Sequence, residues 1–201
     1  PCQDPSGTPL TKNWEVLVDR AGLFVDAGYL LSEGAKLILG TGKRSEIEVK
    51  VGALANSLME LVQEESDLPL LRTYWYDGCW SNRLTTEHEN VREVPLVKLR
   101  LGKMTPSGQK GVDSLIFRDL TTLARERAIA TAYLVAGDED LREAVTMAQD
   151  LGVQVTLVTV IPADRLNTSE ALVNEADLVV DLEASWLAPH FKLREDAKPA
   201  D

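Results

Sequence analysis

The stretch Tyr133-Leu134-Val135-Ala136-Gly137-Asp138-Glu139-Asp140 decides the fold. An apolar run of strand length ends on a glycine and then on three acids. Such a run suits a strand buried on both faces and is far too short to span a bilayer. The glycine permits close backbone approach at the rim of a sheet. The acids suit the first turn of a helix, with Asp138 as its cap. The stretch therefore predicts a strand over 131–136 and a helix over 138–151, closed by Gly152.

Outward from there, apolar runs and helical periods alternate. Leu23-Phe24-Val25-Asp26 reads as a first strand, Ala27-Gly28 as a tight turn and 29–39 as a helix. Apolar residues at helical spacing from Ile47 to Val62 predict a helix over 47–63, stopped before Pro69. Residues 70–76 read as a second strand, Asp77-Gly78 as a turn and 81–92 as a short polar helix. A third strand is expected over 94–101. Gly102, Pro106, Ser107 and Gly108 make 102–110 read as a loop. A helix over 112–126, a strand over 153–160, a short helix over 169–174 and a last strand over 178–181 complete the pattern. Strands that alternate with helices predict a three-layer α/β/α sandwich around a mostly parallel sheet. One domain is expected over 21–187, after a lead-in over 1–20 and before a polar, fraying tail over 188–201.

In such a sheet, ligands bind beyond the carboxyl ends of the strands. Asp26 ends the first strand, Asp138 and Asp140 follow a later one, and Asp113 opens a helix. Carboxylates converging there repel one another unless a cation joins them, which points to a hard divalent metal, Mg²⁺ or Mn²⁺. Lys110, three residues before Asp113, adds a cation suited to a substrate phosphate. Each residue also has a plainer reading: a turn at Asp26, helix-dipole complements at Asp113 and Asp138, a solvated Lys110. Asp77 reads as part of an Asp-Gly turn, and Asp181 as a lesser candidate at the rim. His88, in a polar run, is expected on the surface.

The net charge of −11 excludes a whole-surface grip on nucleic acid. The charge is unevenly spread. Lys98, Arg100, Lys103 and Lys110 fall in 95–112 without one acid between them, whereas 138–201 carries 14 acids and 5 bases. A polyanion is expected to approach the middle of the chain. Two cysteines and two histidines give no disulfide framework, zinc spacing or nucleophilic dyad. Reduced thiols and the lack of a signal-peptide pattern suggest a cytoplasmic protein. Neither a P-loop nor a Gly-x-Gly-x-x-Gly fingerprint is present. A homo-oligomer interface could form on the aromatic strand Tyr74-Trp75-Tyr76 or on the tail with Trp186, but each reads more simply as core or a packed terminus.

The chain resembles the NYN-domain family, relatives of the PIN-like ribonucleases, and within it the LabA-like branch. The resemblance rests on Phe24-Val25-Asp26-Ala27-Gly28-Tyr29-Leu30, Arg72-Thr73-Tyr74-Trp75-Tyr76-Asp77-Gly78, Gln109-Lys110-Gly111-Val112-Asp113, Val135-Ala136-Gly137-Asp138-Glu139-Asp140-Leu141 and Ala176-Asp177-Leu178-Val179-Val180-Asp181. It implies a PIN-like fold and a metal-dependent nuclease site whose acids are Asp26, Asp113, Asp138 and Asp140. The chain departs from many relatives at Tyr29, where they carry Asn, and at Ala136 and Leu141, where they carry Ser and an aromatic. The expectation is therefore a Mg²⁺- or Mn²⁺-dependent phosphodiesterase that cuts RNA internally. Lys110 would neutralise the phosphate, Lys98, Arg100 and Lys103 would guide the strand, and Tyr29 would stand at a substrate-contact position. The alternatives are a Toprim-like metal-dependent nuclease and a non-catalytic module that binds nucleic acid or protein.

Overall fold

A computed structural model of the chain describes residues 19–81, 83–105, 108–161 and 167–195, the side chains of 105–110 excepted. The expected lead-in lies almost wholly outside the described residues. The first described strand lies in the middle of the sheet. β1 (Ala21–Asp26) is buried along its whole length, and α1 (Ala27–Leu39) follows with no intervening turn. Asp26 itself caps the helix, its Oδ1 accepting from the Tyr29 N–H at 3.2 Å. β2 (Ile47–Val49) comes next, then α2 (Val51–Glu65), which buries Val51, Leu54, Ala55, Leu58 and Val62 at the spacing of one helical face. The helix expected from residue 47 thus starts four residues later, because Ile47–Val49 is held as a strand by a distant partner.

β3 (Leu70–Cys79) runs straight through the expected Asp77-Gly78 turn, and α3 (Thr86–Arg92) is capped by Thr85. β4 (Val97–Thr105) turns back into β5 (Gly108–Lys110), so the expected loop over 102–110 is largely an antiparallel hairpin. Then come α4 (Val112–Arg125), β6 (Thr131–Val135), a single 3₁₀ turn at Glu139–Leu141, α5 (Arg142–Asp150) and β7 (Gln154–Val160). α6 (Glu170–Glu175), β8 (Leu178–Leu182), α7 (Ala184–Leu187) and β9 (Phe191–Leu193) finish the fold.

The main sheet has seven strands in the order β5-β4-β3-β1-β6-β7-β8, parallel except for β5. Helices α1 and α2 cover one face and α4, α5 and α6 the other, each over its own apolar cluster. This is the expected three-layer α/β/α sandwich. The chain builds outward from β1 to β3 and β4, then returns to β6 on the opposite side of β1. The crevice between β1 and β6 is therefore the topological switch point, where such sheets bind ligands.

The last described segment does not fray. β9 pairs antiparallel with β2, Phe191 opposite Val49, and the Phe191 ring lies so close to Gly34 that a Cβ there would sit 2.8 Å from it. His190 is buried and its carbonyl accepts from the Lys50 N–H at 3.0 Å. Tyr74, Trp75 and Tyr76 lie inside, as the plainer reading has it, with Tyr74 stacked on Phe24 at 5.4 Å between ring centres. Among the described residues no helix is long and apolar enough to cross a membrane.

Candidate functional site

Strand register brings the acids to one end of the switch crevice. Val25 pairs with Val135, so Asp26 stands level with Ala136, and Asp138 lies two residues further along the adjacent chain. Asp138 caps the 3₁₀ turn, its Oδ1 accepting from the Asp140 N–H at 3.1 Å. The N–H leaves Asp138 one further oxygen to offer. Gly137 has no room for a side chain: a Cβ there would lie 2.3 Å from the Tyr29 ring and 2.6 Å from the Asn167 carbonyl oxygen. Gly111 makes the turn from β5 into α4 with a φ of 80°, a left-handed conformation that glycine adopts without strain. That turn places Asp113 in the first turn of α4.

Asp113 feels its neighbours. Burial first, and then the negative charge of Asp138 with a further push from Asp140, holds its carboxyl above the ordinary carboxylate range. Three of the four expected acids thus share one electrostatic field, and Asp26 adjoins them by register, itself largely buried. Oxygen donors crowded against like charge suit a hard divalent cation, whose binding relieves the repulsion. Yet among the described residues no group of three or more His, Cys, Asp or Glu side chains is arranged to hold a metal ion. Oxygen donors of this kind are the chemistry that Mg²⁺ or Mn²⁺ takes.

The basic residues divide. Lys103 is exposed beyond the sheet rim and its Cα pairs with Lys110 across the β4–β5 hairpin, while the Lys110 side chain lies outside the described set. Arg100 is level with Tyr76 and hence with Asp26, but its guanidinium bonds Asp119 of α4 at 2.9 Å and lies over the Tyr74 ring. Lys98 stands two residues further from the rim, in a cleft with Arg72 and Arg92. Tyr29 is bound up in the structure. Its hydroxyl shares a 2.7 Å hydrogen bond with Thr168 and accepts from the Val160 N–H at 3.0 Å. Burial raises its pKa, so it stays protonated. Asn lacks the reach for these bonds, which gives the Tyr29 departure a structural reason.

A second ionic group, at the end of β3, was missed. Asp77 is buried, not in a turn, and Arg44 forks onto both its oxygens at 3.2 and 3.1 Å while also pairing with Glu87. His88, expected on the surface, is buried beside it. The Thr85 N–H donates to His88 Nδ1, so Nε2 carries the hydrogen donated to Asp77 at 3.1 Å. Burial pushes the Asp77 carboxyl up, but His88 and Arg44 outweigh it and hold the group below its ordinary value. The signal lay in Thr85-Thr86-Glu87-His88, whose capping box turns His88 inward.

A three-layer α/β/α sandwich with acids gathered at its switch point is the class that fold and site define. Within that class the chain belongs to the NYN domain family, whose model matches residues 20–183. Over 118 residues it is 40% identical to an uncharacterized protein, y4oD, of Sinorhizobium fredii. That match covers 58% of this chain and 55% of the other, so the chain spans about half the length of this relative. Among solved structures, a protein of unknown function from Vibrio parahaemolyticus shares the fold with a TM-score of 0.57 at 18% identity, over 82% of this chain and 94% of that one.

Proposed function

We propose that this NYN domain, of the LabA-like branch, is a Mg²⁺- or Mn²⁺-dependent phosphodiesterase that cleaves RNA internally. The observation that carries the reading is Asp113, its carboxyl raised by burial and by the charges of Asp138 and Asp140 at the switch point of the sheet. A carboxylate group left without cations is costly unless something binds there. Asp26, Asp113, Asp138 and Asp140 would hold the cation. A bound divalent ion supplies an acidified water and neutralises charge on the phosphate. The chain supplies the rest. Gly137 and Gly111 set the backbone that presents the acids, and Asp26 and Asp138 fix two helix starts with one oxygen each. Lys103, and Lys110 beside it on the hairpin, would meet the approaching strand. Absence of a Cys or Ser dyad suits direct attack by water.

A second reading, a module that binds nucleic acid or protein without turnover, is favoured by one observation: no three acids among the described residues are arranged to hold a metal. Titration of MnCl₂ and MgCl₂ into the protein with a labelled single-stranded RNA separates the two. Cleavage that needs the metal and disappears in Asp138→Asn is expected. Metal binding without cleavage by the native protein would favour the binding module.

A further inference from the structure

Beyond the ends of β7 and β8, next to the acids, lies a cavity of about 500 Å³. Its polar lining is Thr159, Asn167, Thr168, Glu170, Asn174 and Asp181, with Val173 and Val179 among its apolar walls. Resting on the nuclease reading, we propose that this cavity receives the base of a nucleotide next to the cleaved phosphodiester, and that the base is guanine.

Size and position come first. Cavities of several hundred cubic ångströms hold small ligands, and this one adjoins the acid crevice through a shared wall. The Ser169 N–H donates to the Gly137 carbonyl at 2.9 Å, and Asn167 and Tyr29 close directly on Gly137, one residue before Asp138. A base in the cavity and a phosphate over the acids are therefore neighbours along one strand.

Charge decides which part of a nucleotide enters. Among the described residues the lining holds two carboxylates and neither a lysine nor an arginine. A phosphate is repelled there; a neutral, hydrogen-bonding ring is not. The wall is also held in place before any ligand arrives. The Asn167 amide donates to the Val160 carbonyl at 2.8 Å, Thr168 bonds Tyr29, and the Thr159 hydroxyl donates to Asp181. Glu170 and Asn174, one turn apart on α6, share a face and bond no other described residue. They are the groups left to read a ligand.

A carboxylate beside an amide selects a donor edge. Guanine presents N1–H and N2–H₂ side by side, which pair with both oxygens of one carboxylate, and its O6 meets an amide donor. Uracil presents two carbonyls around a single N–H and sets oxygen against oxygen. The unpaired groups such a mismatch leaves are what give polar sites their selectivity.

Four single-stranded RNAs, identical but for one G, A, C or U at a central position, test this with Mn²⁺ present and cut sites mapped. Cleavage beside G is expected about tenfold above cleavage beside U, and Glu170→Gln and Asn174→Ala should each collapse that ratio, with circular dichroism melts confirming that both variants fold. In parallel, guanosine and uridine are titrated by NMR in metal-free buffer. Guanosine should shift the resonances of α6, uridine should not, and Glu170→Gln should abolish the shifts. Guanosine binding without cleavage of any RNA would keep the base site and remove the nuclease reading. Cleavage with another preference, with none, or with one that the variants leave intact would overturn the base site and keep the nuclease.

Discussion

Asp77 and Asp113 stand on the same rim of the sheet, yet the chain gives one a guanidinium and an imidazole N–H and the other a crowd of acids. Asp77 takes both forks of Arg44 and the His88 Nε2–H, and its pKa falls. Asp113 has the charges of Asp138 and Asp140 for company, and its pKa rises. The first arrangement is what a fold does with a carboxylate it must bury: pair it and fill its lone pairs. The second stores repulsion that folding alone gives no reason to keep. The contrast distinguishes a paired acid from a crowded one without reference to residue type, since both are aspartates.

The largest effects should fall on opposite properties. Asp138→Asn keeps a side chain able to cap the 3₁₀ turn while removing a charge from the crowd. Cleavage should drop by more than the roughly 10–100-fold that loss of a partner outside the metal's own ligands costs. The melting temperature in EDTA should stay level or rise. A variant as active as the native protein would break the comparison at once. Asp77→Ala should do the reverse. It leaves Arg44 and His88 without their shared acceptor, and about 3 kcal/mol of stability should go in urea unfolding. Metal-dependent cleavage per folded molecule should survive. Loss of cleavage with unchanged stability would place Asp77 among the functional acids.

How far the sequence revealed this division can be argued from the same residues. Asp26, Asp113, Asp138 and Asp140 were legible because each adjoins an apolar strand or helix start, and the α/β pattern puts such ends on one rim. The mostly parallel sheet between two helical layers followed from the same alternation. The Asp77 group was not legible. Its members come from residues 44, 77, 87 and 88, in segments that look polar and local, and only packing joins them. The β2–β9 pairing was hidden likewise: Ile47–Val49 continues the helical period of α2 and finds its strand partner in 191–193. The β4–β5 hairpin was masked by Gly102 and Gly108, which mark loops as readily as tight strand turns.

Tyr29 tests the link between crevice and cavity, with a smaller effect. Tyr29→Phe removes the hydroxyl that accepts from the Val160 N–H and bonds Thr168. A buried N–H left unpaired costs about 1–2 kcal/mol, to be read from urea unfolding. The ring and its contact with Gly137 remain, so the acids should keep their places and cleavage should fall only a few-fold. A drop matching that of Asp138→Asn would show that the hydroxyl touches substrate and is more than a strut.

The smallest effect is the most direct measure of how Asp77 is held. In the unfolded chain an aspartate titrates near ~3.9, whereas in the fold His88 and Arg44, against the push of burial, hold Asp77 lower. Below that unfolded value the unfolded chain binds the proton more readily, so the stability contributed by the group is complete above pH of about 4 and is lost as pH falls through the lowered folded value. Asp77→Asn has no such proton to bind. The difference in unfolding free energy between native protein and Asp77→Asn should therefore shrink as pH falls from about 4 to 3. Asp113 and the other titrating groups that do not touch Asp77 act on both proteins alike and largely cancel in the difference. Urea unfolding at these pH values reads it, and a gap that stays constant between about pH 4 and 3 would mean that Asp77 titrates identically in both states and that Arg44 and His88 do not hold it.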